Sequence, residues 1–214
     1  MTPNQGTVLL DGEDIARLPS QKVARKMAIL PQAPIAPPGL TVEELVAYGR
    51  YPHQRGFGRM NDEDKDKIAW ALNITGLVEL AQRDVDALSG GQRQRVWVAM
   101  ALAQDTSLIL LDEPTTYLDL VHQLEVLQLL QRLNAETGKT IVLVIHELNM
   151  ASRISDHIVA MKSGSIVAQG QPSEIMTSEV LAQVFGIDAF VQPDPRTARP
   201  VCVTYDVMEK QVIK

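Results

Sequence analysis

Two periods of apolar residues take turns along this chain. Apolar runs too short for a helix occur at Met27–Leu30, Leu108–Leu111 and Ile141–Ile145. Each reads as an apolar strand, and Leu108–Leu111 suits a buried strand of a parallel sheet. Between them the apolar positions fall at helical spacing. A helix is predicted from Ser20 to about Lys26, and Thr41-Val42-Glu43-Glu44 is a capping box that opens another. Periodicity resumes from about Asp62 to Asn73. Ser89 begins the next helix, with Gln92 in the capping-box position and Val96, Ala99, Met100 and Ala103 on one face. A long amphipathic helix covers Leu120 to Thr137, and a short one Asn149 to Ser155. Thr7–Leu10 reads as a strand before an Asp11-Gly12 turn. Ile158–Met161 and Ile166–Ala168 flank Ser163-Gly164 as a hairpin. Pro34, Pro37, Pro38 and Gly39 make a loop, and Arg50 to Arg59 is a polar excursion. After Pro193 no element is assigned. Strands alternating with helices predict an α/β fold around a parallel sheet.

Composition narrows the class. A chain of 214 residues supports one sizeable core with room for a small subdomain. Apolar content of 45% and charged content of 21% are those of a globular protein. The net charge of −6 argues against nucleic acid as a partner. The single Cys202 has no disulfide partner, which fits a reducing cytosol. Met1–Gly6 has neither the basic nor the apolar part of a signal peptide. No run approaches the ~20 apolar residues of a membrane span, so a membrane role would be peripheral.

Candidate chemistry sits at the ends of the apolar runs. Leu108–Leu111 leads into Asp112 and Glu113. Ligands of open parallel sheets bind at the C-terminal ends of strands. There Asp112 suits Mg²⁺, which takes oxygen ligands and keeps waters. Glu113 is placed to polarise a water for in-line attack on a γ-phosphate. Two solvated acids capping a strand would show the same local pattern. Upstream, Leu88-Ser89-Gly90-Gly91-Gln92 puts a hydroxyl and backbone N–H groups at a helix N-terminus, an anion site. Its glycines let the backbone approach a phosphate closely. Ser-Gly-Gly by itself would equally be a turn into a capped helix. His146 follows the Ile141–Ile145 strand, where a neutral imidazole can bond a phosphate oxygen or a carboxylate. Gln32, after Pro31, is on its own a solvated surface residue. Gly138-Lys139-Thr140 is the sole GK[ST] string, but Leu133 stands where a phosphate loop needs its first glycine. It also leads into a strand, so it reads as a helix C-cap and turn.

Taken together, Gln32, Leu88–Gln92, Asp112-Glu113, Leu118-Asp119 and His146 resemble the ATP-binding subunit of an ATP-binding-cassette (ABC) transporter over almost the whole chain. The resemblance implies a P-loop NTPase (RecA-like) parallel-sheet core with an ABC-type helical subdomain, approximately 39–105, inside a single ATPase domain spanning 1–214. It implies catalytic roles for Glu113 and for His146 as the switch histidine. Asp112 and Gln32 would serve Mg²⁺, with Gln32 linking to the membrane subunit. Ser89, Gly90, Gly91 and Gln92 would contact ATP held by the opposite subunit, and Asp119 would be the acid at the dimer interface. Glu147 departs from the Asp frequent in the family and keeps the charge.

Finer strings, Gly39–Pro52, Thr115-Thr116-Tyr117-Leu118-Asp119 and His146-Glu147-Leu148-Asn149, resemble ATPases of iron–siderophore importers of the ferric citrate and enterobactin types, with haem and vitamin B12 importers similar. The partners so implied are transmembrane permease subunits, a second ATPase subunit as homodimer and, indirectly, a substrate-binding protein. The location implied is the cytoplasmic face of the cell membrane. In that family the Walker A phosphate loop precedes Gln5–Val8, so the chain as written is expected to be truncated before it and inactive by itself. The alternative is a catalytically inactive ABC-like binding module. DNA-repair and chromosome-structure ABC ATPases place a long coiled coil between the Gln32 and Ser89 positions. Here 57 positions separate them, without sustained heptads.

Overall fold

The structure, a computed structural model, describes residues 5–54, 60–116 and 118–208. Residues 55–59 of the polar excursion, and Tyr117, lie outside the described residues. The chain divides into two compact units, Met1–Val144 and Ile145–Lys214, and each is taken by itself.

In the first unit, β3 (Met27–Leu30), β4 (Leu108–Asp112) and β5 (Thr140–Val144) form a parallel sheet with β4 in the centre. The register pairs Met27 with Leu108 and Leu108 with Thr140. Every second residue of β3 and β4 (Ala28, Leu30, Ile109, Leu111) is buried. All three predicted strands therefore exist. The third begins one residue earlier than its apolar run, because the Thr140 N–H bonds Ser107 O at 2.9 Å and starts the ladder there. The predicted Thr7–Leu10 strand contracts to β1 (Leu9–Leu10), paired with β2 (Glu13–Asp14) around a tight turn. The intervening Asp11 and Gly12 both have positive φ.

The helices are α1 (Ser20–Ala24), α2 (Val42–Ala47), α3 (Asp62–Ile74), α4 (Gly90–Ala103) and α5 (Leu120–Thr137). Both capping boxes predicted from sequence are formed, at Thr41/Glu44 and Ser89/Gln92, and a third is made by Asn61 and Asp64. Helices α2 and α3 pack on α4, which also touches β3 and α5. One continuous core results, centred on Val42, Leu45, Val46, Val96, Leu102 and Leu133. Gly49 fits this bundle because a Cβ there would strike the Met100 carbonyl oxygen of α4.

The second unit holds α6 (Leu148–Ile154), the hairpin β6 (Ile158–Lys162) and β7 (Ser165–Gly170), α7 (Pro172–Ile175), α8 (Ser178–Phe185) and a second hairpin of β8 (Ile187–Pro193) with β9 (Pro200–Val207). That last hairpin fills the tail the sequence left unassigned. Its loop is shaped by Asp194, whose carboxylate accepts the Arg196 N–H at 2.8 Å. Cys202 is a buried free thiol on β9, and its backbone exchanges two hydrogen bonds with the Asn149 side chain, at 2.8 and 3.0 Å. Among the described residues no helix is long and apolar enough to cross a membrane.

Candidate nucleotide site

Parallel pairing puts the C-terminal ends of β3, β4 and β5 along one edge of the sheet. Asp112 is the last residue of the central strand and is exposed there. Glu113 follows, its N–H bonded to Val144 O at 3.2 Å. Its φ of 48° lies in the left-handed region, unusual for a residue with a Cβ. Such strain costs about 1–3 kcal/mol and persists where surrounding bonds dictate it. The bonds are present. Gln32, just past β3, donates its side-chain amide to Glu113 Oε2 at 2.7 Å, and Thr116 Oγ1 donates to the same oxygen at 2.9 Å. The structure thus joins Gln32 to Glu113, the neighbour of Asp112, across 81 residues of sequence. Thr116 was missed as a partner; a hydroxyl three residues after a carboxylate in a turn was the available signal.

A second cluster forms where α4 and α5 begin. Ser89 is the N-cap of α4, its Oγ accepting the Gln92 N–H at 3.3 Å while Gln92 Oε1 accepts the Ser89 N–H at 3.1 Å. Asp119 is the N-cap of α5 and accepts the His122 N–H at 2.9 Å. Gly90 and Gly91 face α5: a Cβ on Gly91 would meet the His122 ring, and one on Gly90 would touch Leu118. Ser89, Gly90, Gly91, Gln92 and Asp119 are therefore one constellation. His122, Glu125 and Arg95 belong to it and were not singled out from sequence, although Asp119, His122 and Glu125 follow the i, i+3 spacing of one helix face. His146 is exposed in the segment before α6 and belongs to the second unit.

The GK[ST] string is structural, as its sequence context indicates. Gly138 is the left-handed C-cap of α5, at φ 65°. Lys139 turns its ammonium to Asp105 Oδ1 at 3.2 Å and Thr106 O at 2.7 Å. Lys67 reaches the other Asp105 oxygen at 2.7 Å. Burial pushes the Asp105 carboxyl up, but bonds to Lys67 and Lys139 outweigh it and hold it below the usual range.

Among the described residues no group of three or more His, Cys, Asp or Glu is arranged to hold a metal. The donors at the sheet edge are Asp112, Glu113 and the Gln32 amide. That set fits Mg²⁺, which binds through one or two carboxylates, waters and substrate phosphates rather than an all-protein cage.

A carboxylate-lined edge at the C-terminal ends of parallel strands, beside a helix opened by Ser-Gly-Gly, is the ground plan of a nucleotide-binding α/β protein. The chain belongs to the ABC transporter family, whose profile matches residues 1–116. It is similar to the iron(3+)-hydroxamate import ATP-binding protein FhuC of Bacillus subtilis (strain 168), 58% identical over 99% of this chain and 78% of that protein. It is similar also to the ferric enterobactin transport ATP-binding protein FepC of Escherichia coli (strain K12), 48% identical over 95% of this chain and 75% of that one. Among solved structures, a dimeric ATP-binding cassette in a post-hydrolysis state bound to ADP and Pi superposes with a TM-score of 0.68. It is 32% identical, over 80% of this chain and 75% of that one. The protein is accordingly an ATP-binding α/β cassette of the ABC class.

Proposed function

We propose that this protein is the ATP-hydrolysing subunit of an importer that takes up iron–siderophore complexes. The names of its relatives support that substrate class: hydroxamate and enterobactin in the two above, and achromobactin in a third, from Dickeya dadantii (strain 3937), at 51% identity. The observation that carries the reading is the Gln32–Glu113 hydrogen bond at the sheet edge. It ties a residue on the β3 exit, beside the helical segment, to the carboxylate best placed to act on water.

In this reading Glu113 accepts the proton of a water as that water attacks the γ-phosphate, and Gln32 and Thr116 hold its carboxylate in place. Asp112, with Gln32, would hold Mg²⁺, which would supply neutralisation of charge on the phosphoryl oxygens. Ser89, Gly90, Gly91 and Gln92 address ATP on a second copy of the subunit, with Asp119 at that dimer interface. His146 supplies the switch imidazole. The whole of 1–214 works as one cassette, with approximately 39–105 as the helical subdomain that meets a transmembrane permease. A substrate-binding protein delivers the cargo on the far side, and this subunit sits peripherally on the cytoplasmic face.

Glu113→Gln tests the reading. The amide keeps the shape but is no base, so ATP turnover by the full-length protein should fall by roughly 10²–10⁴-fold with ATP binding retained. Steady-state turnover equal to wild type would refute it.

A further inference from the structure

The second glycine of the signature has two possible reasons to be glycine. The backbone could need to approach a phosphate, or something in the fold could occupy the space of a side chain. The structure supplies the second. A Cβ on Gly91 would lie 2.7 Å from His122 Cγ, 2.9 Å from Cδ2 and 3.1 Å from Cβ, closer than van der Waals contact allows. The same test at Gly90 finds only Leu118 Cδ2 at 3.9 Å, an ordinary contact. The imidazole therefore rests on Gly91 specifically, and Gly91 is buried beneath it.

The ring is held from both helices. On α5, the His122 backbone N–H donates to Asp119 Oδ1 at 2.9 Å, and ring Nδ1 lies 3.1 Å from Glu125 Oε2. Asp119 Oδ2 is 3.9 Å from Nε2. On α4, Arg95, one turn beyond Gly91, reaches the same Glu125 oxygen at 3.5 Å. The first turns of α4 and α5 are thus clamped at two points a helical turn apart, by the ring on Gly91 and by Glu125 on Arg95.

We propose that His122 is a positioning residue for ATP turnover. Its ring seats the N-terminus of α4, Ser89 to Gly91, against the Asp119 turn, so that two elements directed at the partner subunit move as one body. Gly91 is glycine to receive that ring. The inference rests on the functional reading above, in which Ser89–Gln92 act on nucleotide.

A double-mutant cycle on the full-length subunit assembled with its permease decides it. Turnover and KM for ATP are measured for Gly91→Ala, His122→Ala and the double variant, with Glu113→Gln as the reference for the functional reading. Gly91→Ala should lower kcat about tenfold in the wild-type background and less than about twofold where the ring is gone, a coupling within the range of directly contacting residues. His122→Ala alone should lower kcat several-fold and leave KM unchanged, with a wild-type melting temperature showing that the loss is not one of folded enzyme. Should His122→Ala fail to fold, His122→Asn runs the same cycle, since it removes the ring but keeps a polar group for Glu125. An equal cost of Gly91→Ala in both backgrounds, with Glu113→Gln inactive, sinks the role of His122 alone. Full turnover in Glu113→Gln sinks the functional reading and this role with it.

Discussion

Arg50 donates from Nε to Asp64 Oδ1 at 2.8 Å, and both side chains are only 2% exposed. Arg50 Nη1 also donates to Ala103 O at the end of α4, at 2.8 Å, and Asp64 closes the capping box of α3 with the Asn61 N–H at 3.1 Å. One buried ion pair thus joins three pieces of the helical segment. Breaking a buried pair strands a charge, which costs about 3–5 kcal/mol. Arg50→Leu should lose that much in chemical denaturation; a loss under 1 kcal/mol would mean that the pair does not anchor the segment.

The same pair sets a pH dependence. Burial pushes the Asp64 carboxyl up, but the Arg50 guanidinium and the Asn61 N–H outweigh it and hold it below the ordinary value. A lowered folded-state value contributes stability above the unfolded value of about 3.9, and that stability is lost as pH falls through the folded value. Wild-type stability should therefore drop more steeply below about pH 4 than that of Asp64→Asn. Parallel curves would contradict the assignment. Taking the difference removes the contributions of the other lowered carboxylates, such as Glu44 and Asp194.

Lys139 pairs with Asp105 rather than facing the carboxylate edge. Lys139→Met should leave ATP affinity unchanged, measured by calorimetry on the full-length protein. It should cost about 1 kcal/mol of stability, the figure for a charged hydrogen bond after allowance for solvent screening. A tenfold loss of affinity would place this lysine in the nucleotide site after all.

Gln32→Ala removes the amide that donates to Glu113 Oε2 and leaves the Thr116 hydroxyl on the same oxygen. A hydrogen bond to a charged group contributes about 1.5–3 kcal/mol, so kcat should fall about tenfold or more. Turnover at the wild-type rate would show that the contact has no part in catalysis.

Tyr51 is 75% exposed and Tyr48 49%, on a 3₁₀ turn beyond α2. Single cysteines at Tyr48, Tyr51 and His53, in a Cys202→Ser background, should crosslink to the permease. Crosslinks formed only from control cysteines placed at the exposed Val203 and Tyr205, and from none of these three, would move the docking surface elsewhere.

Much was legible from local pattern because the physics there is local. The apolar runs Met27–Leu30 and Leu108–Leu111 became β3 and β4 with little change, since a short continuous apolar run bounded by turn residues suits a sheet strand, although only alternate residues are buried and Ile29 is left exposed. Thr41, Ser89 and Gly138 occupy their caps, because those bonds span three to five residues. The pairing of β8 with β9 was not legible. β9 alternates only in part and is largely exposed, so no continuous apolar face advertises it.

What the sequence determined by itself is the set of chemical groups and the elements that carry them: Asp112 and Glu113 ending a strand, and Ser89, Gly90 and Gly91 opening a helix. The order of motifs sufficed for the family. Which groups touch was decided only in three dimensions. Parallel registry of β3 with β4 delivers Gln32 to Glu113 across 81 residues of chain, and the packing of α4 on α5 sets His122 on Gly91. Helix and cap propensities arise from neighbours along the backbone, whereas these contacts depend on strand register and helix packing, which the whole core selects together.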